Sequence, residues 1–474
     1  MDKKILLIEP GFKTKYPPLG LMKISTYHKI LGDKVYFFKG MNLPYELACE
    51  YWDRIYISTI FTYNWKITID TINYYKGLVD DINRLKVGGI LATLMPKELW
   101  EATGIIPTTG LLNTIGIFDS DNNLIIDNMI PDYNLFNDSG VEYSLINNSY
   151  IGYTTRGCKN ECNFCGVPTL EPKYIDYINI KDYVDGIKIN FGEKQHLVLM
   201  DNNVLASKNF KNIINDIIDL GFGKNSKFNN KQRHVDFNQG VDARKINENN
   251  IKLLSKISIH PLRIAFDSLK LEKIYTRSVE LAAKNGIRNL SNYILYNYFD
   301  TPEDLWKRLK INIDLNKKYN LQIYSFPMKY IPLYGKESQD RKFICEPYWN
   351  WQYIRGVQRI INVLKGAVMP REDFFYRAFG ENEKDFIRIL YMPENILMNR
   401  SRKIKSEEKE WNSKYTKLTE NEKRELLKIL CDCQTKASLL LVQTKTMNSK
   451  IKNILEYYLP NNVKNNELDL PFEN

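Results

Sequence analysis

Short apolar segments alternate with amphipathic segments along the first third of the chain. The apolar run Lys3–Pro10 leads into a loop rich in glycine and proline, and the next segment has helical spacing and stops at Gly32. Further strand-like runs lie at 34–40, 53–62 and 87–96, with a helical stretch at 65–80. Strands that are apolar throughout and alternate with helices predict a Rossmann-like, doubly wound parallel sheet. Its ligands are expected at the carboxyl ends of the strands, near Glu9–Gly20 and Ser58–Asn64.

A polar region from 119 to 149 separates this series from a second alternating series. The second series contains six strand-like runs, at 149–157, 195–203, 233–240, 261–268, 288–298 and 321–333. Helical stretches or a cysteine-containing loop stand between them. Because successive right-handed β-α units curl into a barrel, the pattern predicts a central partial (β/α)6 barrel of the TIM type, with chemistry at the carboxyl ends of its strands.

The pattern changes to helical spacing after about Gly335. Thr419 and Glu422 precede an apolar run with the spacing of a capping box, and the last stretch, 460–474, is polar and expected to be frayed. The chain is therefore expected to be α/β with three domains: 1–140 Rossmann-like, 141–340 barrel, and 341–474 mostly helical.

Composition narrows the class of protein only slightly. We find no run of about 18 apolar residues and no leader-like N-terminus in the 474 residues, so we expect a cytoplasmic protein without a membrane partner. The formal charge of +11 is compatible with a nucleic-acid partner, but a lysine-rich composition that serves solubility is the preferred explanation, because net charge alone locates no binding face. Seven cysteines make a disulfide framework unexpected.

Three of the seven cysteines, Cys158, Cys162 and Cys165, crowd into one short segment. Structural zinc normally takes four ligands, a redox pair needs only two cysteines, and core cysteines would not sit among charged residues. A [4Fe-4S] cluster, in contrast, is normally held by one thiolate on each of four irons, so three cysteines leave one iron open. Phe164 is placed to shield such a cluster, and Arg156 to offset its negative charge.

The segment resembles the signature of the radical S-adenosylmethionine (radical SAM) superfamily. The family pattern C-x3-C-x-aromatic-C is met by Cys158, Cys162, Phe164 and Cys165, just after the first barrel strand, and the resemblance covers roughly 150–333. It implies that S-adenosylmethionine (SAM) chelates the open iron and is cleaved reductively to a 5′-deoxyadenosyl radical. It also implies an electron donor such as flavodoxin or ferredoxin.

The same resemblance suggests further residues that bind SAM or substrate. At the end of the second barrel strand the candidates are Asp201, Asn202 and Asn203, where Asp201 would accept hydrogen bonds from the SAM ammonium group or simply act as a helix N-cap or turn residue. Gln239 and Arg244 follow the third strand, and Asp267 ends the fourth. Arg244 would pair with a carboxylate or face solvent.

The N-terminal segment resembles that of cobalamin-associated radical SAM proteins. Pro17–Leu21 match their P-P-L-G-L run, but the D-x-H-x-x-G motif that supplies a cobalt ligand is missing, because no histidine follows an aspartate by two residues. Bound cobalamin is therefore one expectation, and a degenerate domain kept for packing or for a partner is the other. His28 is expected to lie packed in a helix.

The leading hypothesis is a radical SAM enzyme that modifies an unidentified substrate, whether a small molecule, a peptide or a nucleic acid. Two alternatives are a cobalamin-dependent methyltransferase of the same superfamily and a tRNA or DNA modification factor whose basic C-terminal half binds phosphates. Cys345, Cys431 and Cys433 are a weak candidate for a second cluster. The sequence leaves the substrate, the reaction subclass, the binding of cobalamin and the oligomeric state open.

Overall fold

The computed structural model describes residues 2–400 and 406–459. A four-stranded parallel sheet, in the order β2-β1-β3-β4, forms its first part. The strands are β1 Lys4–Glu9, β2 Lys34–Lys39, β3 Arg54–Thr59 and β4 Leu85–Gly89. The helices are α1 Leu19–Ile30, α2 Tyr45–Ala48, α3 Trp65–Lys76, α4 Ile90–Leu94 and α5 Pro96–Thr103. The sheet packs around a continuous apolar core.

Strand β4 is shorter than the sequence predicts, because the chain turns at Gly89. This residue has φ +110°, and a Cβ there would lie 2.3 Å from the carbonyl oxygen of Thr59. Only glycine fits so close to the neighbouring strand in that conformation. The predicted strand at 87–96 is therefore wrong beyond Gly89, and its apolar second half forms the buried face of helix α4.

The second alternating series begins with strand β5 Ser149–Gly152, directly after helix α6 Ser144–Asn148. All six predicted runs contain a strand; the others are β6 His196–Leu199, β9 Val235–Phe237, β10 Leu262–Arg263, β11 Asn289–Tyr296 and β12 Gln322–Lys329. Strand β6 lies between β5 and β9, parallel to both. A short antiparallel hairpin, β7 Lys227–Phe228 and β8 Lys231–Gln232, was not predicted.

Helices follow most of these strands, as the alternation indicates. They are α7 Val167–Leu170, α8 Ile180–Phe191, α9 Phe210–Ile217, α10 Glu248–Leu254, α11 Glu272–Lys284 and α12 Pro302–Tyr319. Helix α7 lies close to the three cysteines, and α12 begins with a capping box of Thr301 and Asp304. The structure is thus a mixed α/β protein with parallel sheets.

The C-terminal region is helical, as predicted. Its helices are α13 Trp351–Val363, α14 Glu372–Phe379, α15 Glu383–Leu390, α16 Glu394–Arg400, α17 Ser406–Tyr415, α18 Glu420–Asp432, α19 Lys436–Lys445 and α20 Ser449–Leu455. Helix α18 starts with the predicted capping box of Thr419 and Glu422. The predicted frayed end at 460–474 and part of the basic segment, 401–405, lie outside the described residues.

Two compact units make up the described chain. The first comprises 2–265, 277–289 and 331–343, and the second comprises 266–276, 290–330 and 344–459 without 401–405. The boundaries of the three predicted domains stay a prediction. No helix in the described ranges combines the length and the apolar character that crossing a bilayer requires.

Candidate active site

The cysteine-containing segment, Cys158–Leu170, leaves the carboxyl end of β5 and returns beside its own start. We call it the cysteine loop. Its three cysteines are half-buried, and the backbone N–H of Cys165 donates to the carbonyl of Cys162 across 2.9 Å. Beyond the loop, the N–H of Ile175 donates to the carbonyl of Arg156 across 2.9 Å, so that the two ends of the loop run antiparallel.

Asp201 anchors the segment that leads into the cysteine loop. Its Oδ1 accepts the hydroxyl protons of Thr154 and Thr155 at 2.6 and 2.8 Å, and both backbone N–H groups point at the same carboxylate. Asp201 is fully buried, and burial raises the pKa of its carboxyl group, although the hydrogen bonds from Thr154 and Thr155 oppose that shift. These bonds join β6 to the end of β5. The predicted contact of Asp201 with SAM stays a prediction, and none of these bonds supports it.

Two N–H groups point at the sulfur of Cys158. The backbone N–H of Asn160 lies 3.4 Å from Sγ, and the side-chain amide of Asn203 donates to it across 3.3 Å. Asn203 is 1% exposed, and its Oδ1 is buried without a hydrogen-bond partner among the described residues. Buried polar atoms in folded proteins normally have partners, so this carbonyl oxygen is suited to a bound donor.

Arg244 and Asp242 hold the other side of the loop. Arg244 Nε donates to Asp242 Oδ1 across 2.8 Å, and Asp242 Oδ2 accepts from the side chain of Asn160 across 2.9 Å. The hydrogen bond to Asp242 raises the pKa of the Arg244 guanidinium, and Cys162 adds to the same shift. Arg244 is therefore next to the loop and already paired, whereas Gln239 is exposed.

The N–H donors near Cys158 are consistent with a bound [4Fe-4S] cluster, although the side chains that the structure describes do not converge on a metal site. Within 2–400 and 406–459, no three His, Cys, Asp or Glu side chains converge on a position where they would hold a metal ion. The chemistry of the loop nevertheless suits a cluster, because hydrogen bonds to cysteine sulfurs tune the potential of such clusters. The ligand roles of Cys158, Cys162 and Cys165 stay a prediction, as does the shielding role of half-buried Phe164.

A cavity of about 470 Å³ opens between the N-terminal sheet and the entry to the cysteine loop. The carboxyl ends of β1, β3 and β4 line one wall, with Glu9, Thr59 and Gly88. Tyr153 and Asn202 line the other. The cavity therefore lies where the sequence predicts ligand binding, at the carboxyl ends of parallel strands.

A row of four alternating charges crosses one wall of this cavity. Lys23 Nζ donates to Asp127 Oδ1 across 3.1 Å, Arg156 Nη1 donates to Asp127 Oδ2 across 3.2 Å, and Arg156 Nη2 lies 2.8 Å from Glu171 Oε1. Lys23 is 4% and Arg156 is 6% exposed. Burial alone would raise the pKa of Asp127, but the two cations outweigh it and lower that pKa. The row is therefore charge-balanced, and its two cations are buried.

The remaining candidates belong to other parts of the chain. Asp267 belongs to the second unit, where its backbone carbonyl accepts from Arg308 across 2.9 Å. Cys345 is buried in the same unit, and Cys431 Sγ contacts Asn350 at 3.6 Å. Within the described residues, Cys345, Cys431 and Cys433 belong to no group of three metal-ligating side chains. The helical packing predicted for His28 is confirmed, since it is buried in α1 between Asp33 and Tyr56.

The sequence does not reveal the residues that hold the loop. Thr154, Thr155, Asp127 and Glu171 make the contacts described above, yet none belongs to the cysteine motif. One signal in the sequence points toward such residues. Arg156 stands directly before Gly157 and the cysteine motif, and a buried arginine needs a carboxylate partner. Nothing in the sequence identifies which carboxylate that is.

Comparisons with known proteins support a fold relationship only. The sequence matches no protein-family model and no curated protein. The structure is similar to the radical SAM methyltransferase TsrM from Kitasatospora setae, solved with its tryptophan substrate and the SAM analogue aza-SAM. That match has a TM-score of 0.51 and 15% identity, over 70% of this chain and 73% of the other.

Two further similarities have lower TM-scores. One is SuiB from Streptococcus suis bound to S-adenosylmethionine, with a TM-score of 0.31 and 10% identity over 46% of this chain and 48% of that one. The other is the radical SAM enzyme HemN, coproporphyrinogen III oxidase from Escherichia coli, with a TM-score of 0.31 and 17% identity over 46% and 52%. Over the 70% that it shares with TsrM, this chain therefore has the fold of a radical SAM enzyme.

Proposed function

We propose that the chain is a radical SAM enzyme in which Cys158, Cys162 and Cys165 hold a [4Fe-4S] cluster in a partial (β/α)6 barrel. The observation that carries this proposal is the environment of Asn203. Its amide N–H donates to the Sγ of Cys158, while its buried carbonyl oxygen has no partner in the described chain. One side chain would thus contact a cluster ligand and the ammonium group of SAM at the same time.

A cluster bound here would supply one electron to the sulfonium of SAM and release methionine and a 5′-deoxyadenosyl radical. The protein's own residues position the reactants. Asp201 fixes the strand end before the loop, Asn203 and Asn160 donate N–H groups to sulfur, and Arg244 lies beside Cys162. The predicted SAM ligands Asn202 and Gln239 line the adjoining cavity.

Reconstitution tests this function directly. Anaerobic protein supplied with iron and sulfide should bind about four irons per chain and, with a reductant, should release 5′-deoxyadenosine from SAM. The variant with Cys158→Ala, Cys162→Ala and Cys165→Ala should lose both properties. Cys49→Ala is a matched control, since Cys49 is exposed and outside the loop. If the triple variant keeps the iron and the product, the proposal is wrong.

A second candidate function is methyl transfer with bound cobalamin. The cavity at the carboxyl ends of β1, β3 and β4 favours it, because it reaches the entry of the cysteine loop and is largely apolar. TsrM, the methyltransferase that shares this fold, is a further reason to propose it. The missing D-x-H-x-x-G motif means that no histidine of that motif would ligate the cobalt. The degenerate-domain alternative predicts an empty cavity.

Added hydroxocobalamin distinguishes these two alternatives. After gel filtration, the wild-type protein should retain the red chromophore in a one-to-one ratio. Leu111 lines the cavity, so Leu111→Trp should abolish retention, whereas Ile106→Trp, at a position that is 81% exposed, should not. Absence of retention by the wild type would contradict the cobalamin function and would leave the radical SAM function standing.

The nucleic-acid function stays a proposal with less support. Several basic residues of the C-terminal helices already pair with carboxylates, as Arg355 and Arg359 do with Glu394 and Arg400 does with Glu408. Binding of tRNA or DNA through phosphates would weaken steeply with salt. Affinity that does not change between low and high salt would contradict it.

The electron donor, a flavodoxin or ferredoxin, is part of the main proposal.

A further inference from the structure

One carboxylate, Glu171, contacts both ends of the cysteine loop. It follows the last residue of the loop, and its Oε2 accepts the backbone N–H of Gly157, immediately before the first cysteine, across 2.5 Å. The same oxygen accepts from the side chain of Asn202 across 2.9 Å. Its other oxygen accepts from Arg156 Nε across 2.9 Å. The loop is therefore closed at its base by a carboxylate that is not itself one of the predicted cluster ligands.

The backbone at the base of the loop requires a glycine at position 157. Gly157 has φ +76°, and a Cβ there would lie 2.6 Å from the carbonyl oxygen of Lys173 and 3.0 Å from that of Glu171. The returning chain thus passes directly against Gly157. Its N–H is turned toward the Glu171 carboxylate, and a hydrogen bond to a charged acceptor is stronger than one between neutral groups.

Arg156 connects this closure to the wall of the cavity. Its guanidinium stacks 4.1 Å from the ring centre of Tyr153 and bridges Glu171 to Asp127. Burial acts against the charge of Arg156, but the neighbouring Tyr153, Asp127 and Glu171 raise its pKa on balance. Removing the charge of Glu171 would leave a buried guanidinium with a single carboxylate, which is strongly unfavourable.

We propose that Glu171 is the positioning residue of the cysteine loop. It holds Arg156, Gly157 and Asn202 in place before any metal binds, and so orders the base of the segment that carries the three thiols. The consequence for catalysis rests on the proposed function, whereas the ordering of the loop does not. If the loop is already ordered, cluster binding loses less conformational entropy and is therefore more favourable.

The test begins with the metal-free protein. Anaerobic, reduced wild type and Glu171→Gln are treated with iodoacetamide, and the alkylation rates of Cys158, Cys162 and Cys165 are measured by mass spectrometry relative to exposed Cys49. We expect the three loop rates to rise about fivefold in Glu171→Gln, the change that about 1 kcal/mol of lost ordering produces. Loop rates within twofold of wild type would overturn the proposal.

Glu193→Gln is the matched control. Glu193 also accepts from a buried arginine, Arg233, across 2.9 Å and from Lys188 across 2.6 Å, but it lies just after α8, outside the cysteine loop. We expect normal loop alkylation in this variant. Accelerated loop alkylation in Glu193→Gln to the same degree would show a general loosening and would overturn the specific role of Glu171.

A spectroscopic arm separates positioning from mere stability. After reconstitution, electron paramagnetic resonance of the reduced cluster is recorded with and without SAM. Glu171→Gln should show broadened signals and a weakened response to SAM, and Glu193→Gln should show the wild-type spectrum. Wild-type signals in Glu171→Gln would overturn the proposal. Should Glu171→Gln not fold, Asn202→Ala removes one of the same hydrogen bonds and should raise loop alkylation about threefold; rates within twofold of wild type would overturn the proposal.

The two proposals fail in different ways. If the wild type binds no iron and makes no 5′-deoxyadenosine, the proposed function is wrong, and the alkylation result still decides the role of Glu171. If the wild type binds iron and cleaves SAM while Glu171→Gln behaves like it in every arm, only the role of Glu171 is wrong.

Discussion

The side-chain amide of Asn203 donates a hydrogen bond to the Sγ of Cys158 across 3.3 Å. The donor follows β6, and the sulfur belongs to the loop that follows β5. The two strands are parallel neighbours, so their carboxyl ends bring these residues together. Hydrogen bonds to cysteine sulfurs are one of the factors that set the reduction potential of a bound iron–sulfur cluster.

We expect Asn203→Ala to lower the midpoint potential of a reconstituted cluster. Hydrogen bonds to the sulfur ligands stabilise the more negative, reduced state, and their loss favours the oxidised one. One hydrogen bond is worth about 1 kcal/mol, which corresponds to roughly 40 mV for one electron. A redox titration followed by electron paramagnetic resonance measures the shift. Asn247→Ala removes only the N-cap of α10 and should leave the potential unchanged.

Asp201→Asn should destabilise the protein by about 2–4 kcal/mol, because a buried acceptor of four hydrogen-bond donors becomes partly a donor itself. The donors are the backbone and hydroxyl groups of Thr154 and Thr155. Urea unfolding measures the free energy. In Asp219→Asn, where the side chain is 59% exposed, we expect a change within about 0.5 kcal/mol. Equal stability of the two variants would contradict the anchoring role of Asp201.

Gly157→Ala should be more harmful than Gly32→Ala, although both glycines have positive φ. The left-handed conformation costs an alanine about 1–2 kcal/mol at either position. At Gly32 a Cβ meets nothing within 4 Å, whereas at Gly157 it meets a backbone oxygen at 2.6 Å. We therefore expect Gly157→Ala to lose further stability and most iron uptake, as measured by thermal unfolding and iron analysis. Similar behaviour of the two variants would show that the close approach is unimportant.

Acid should destabilise the protein through three stacked histidines at the amino ends of β6, β9 and β10. The ring centres of His196 and His234 are 5.0 Å apart, and those of His234 and His260 are 4.5 Å apart. Burial, followed by the neighbouring histidines, lowers the pKa of His234 to about 4. Burial likewise lowers the pKa of the other two.

The sign follows from the protons that each state binds. Between the ordinary histidine pKa of about 6.5 and the lowered value in the folded state, the unfolded chain binds more protons. The free energy of unfolding should therefore be constant above about pH 7 and fall as the pH drops toward 4. Urea unfolding at a series of pH values measures it. His234→Phe keeps a ring in the stack without titrating and should flatten the slope; an unchanged slope would contradict this cause.

Much of the fold could be predicted from local patterns. The apolar runs specify the strands because a parallel strand that is buried on both faces needs apolar side chains throughout. The spacing of Cys158, Cys162 and Cys165 is equally local, since the three thiols lie on one short loop. The strand predicted at 87–96 was wrong beyond Gly89, because the backbone turns there where it packs against Thr59. Thr59 lies 30 positions earlier in the chain, so a local pattern does not reveal this contact.

By itself the sequence determined the order of strands and helices, the position of the cysteine loop and the place where a ligand would be sought. Only the tertiary structure decided which carboxylates hold that loop. Asp201 is a plausible cofactor ligand by its position, yet its oxygens are occupied by Thr154 and Thr155. Glu171 belongs to no recognised motif, yet its carboxylate accepts hydrogen bonds from both Gly157 and Arg156. The physical reason is that a buried carboxylate is defined by the donors that surround it, and folding brings those donors from separate segments.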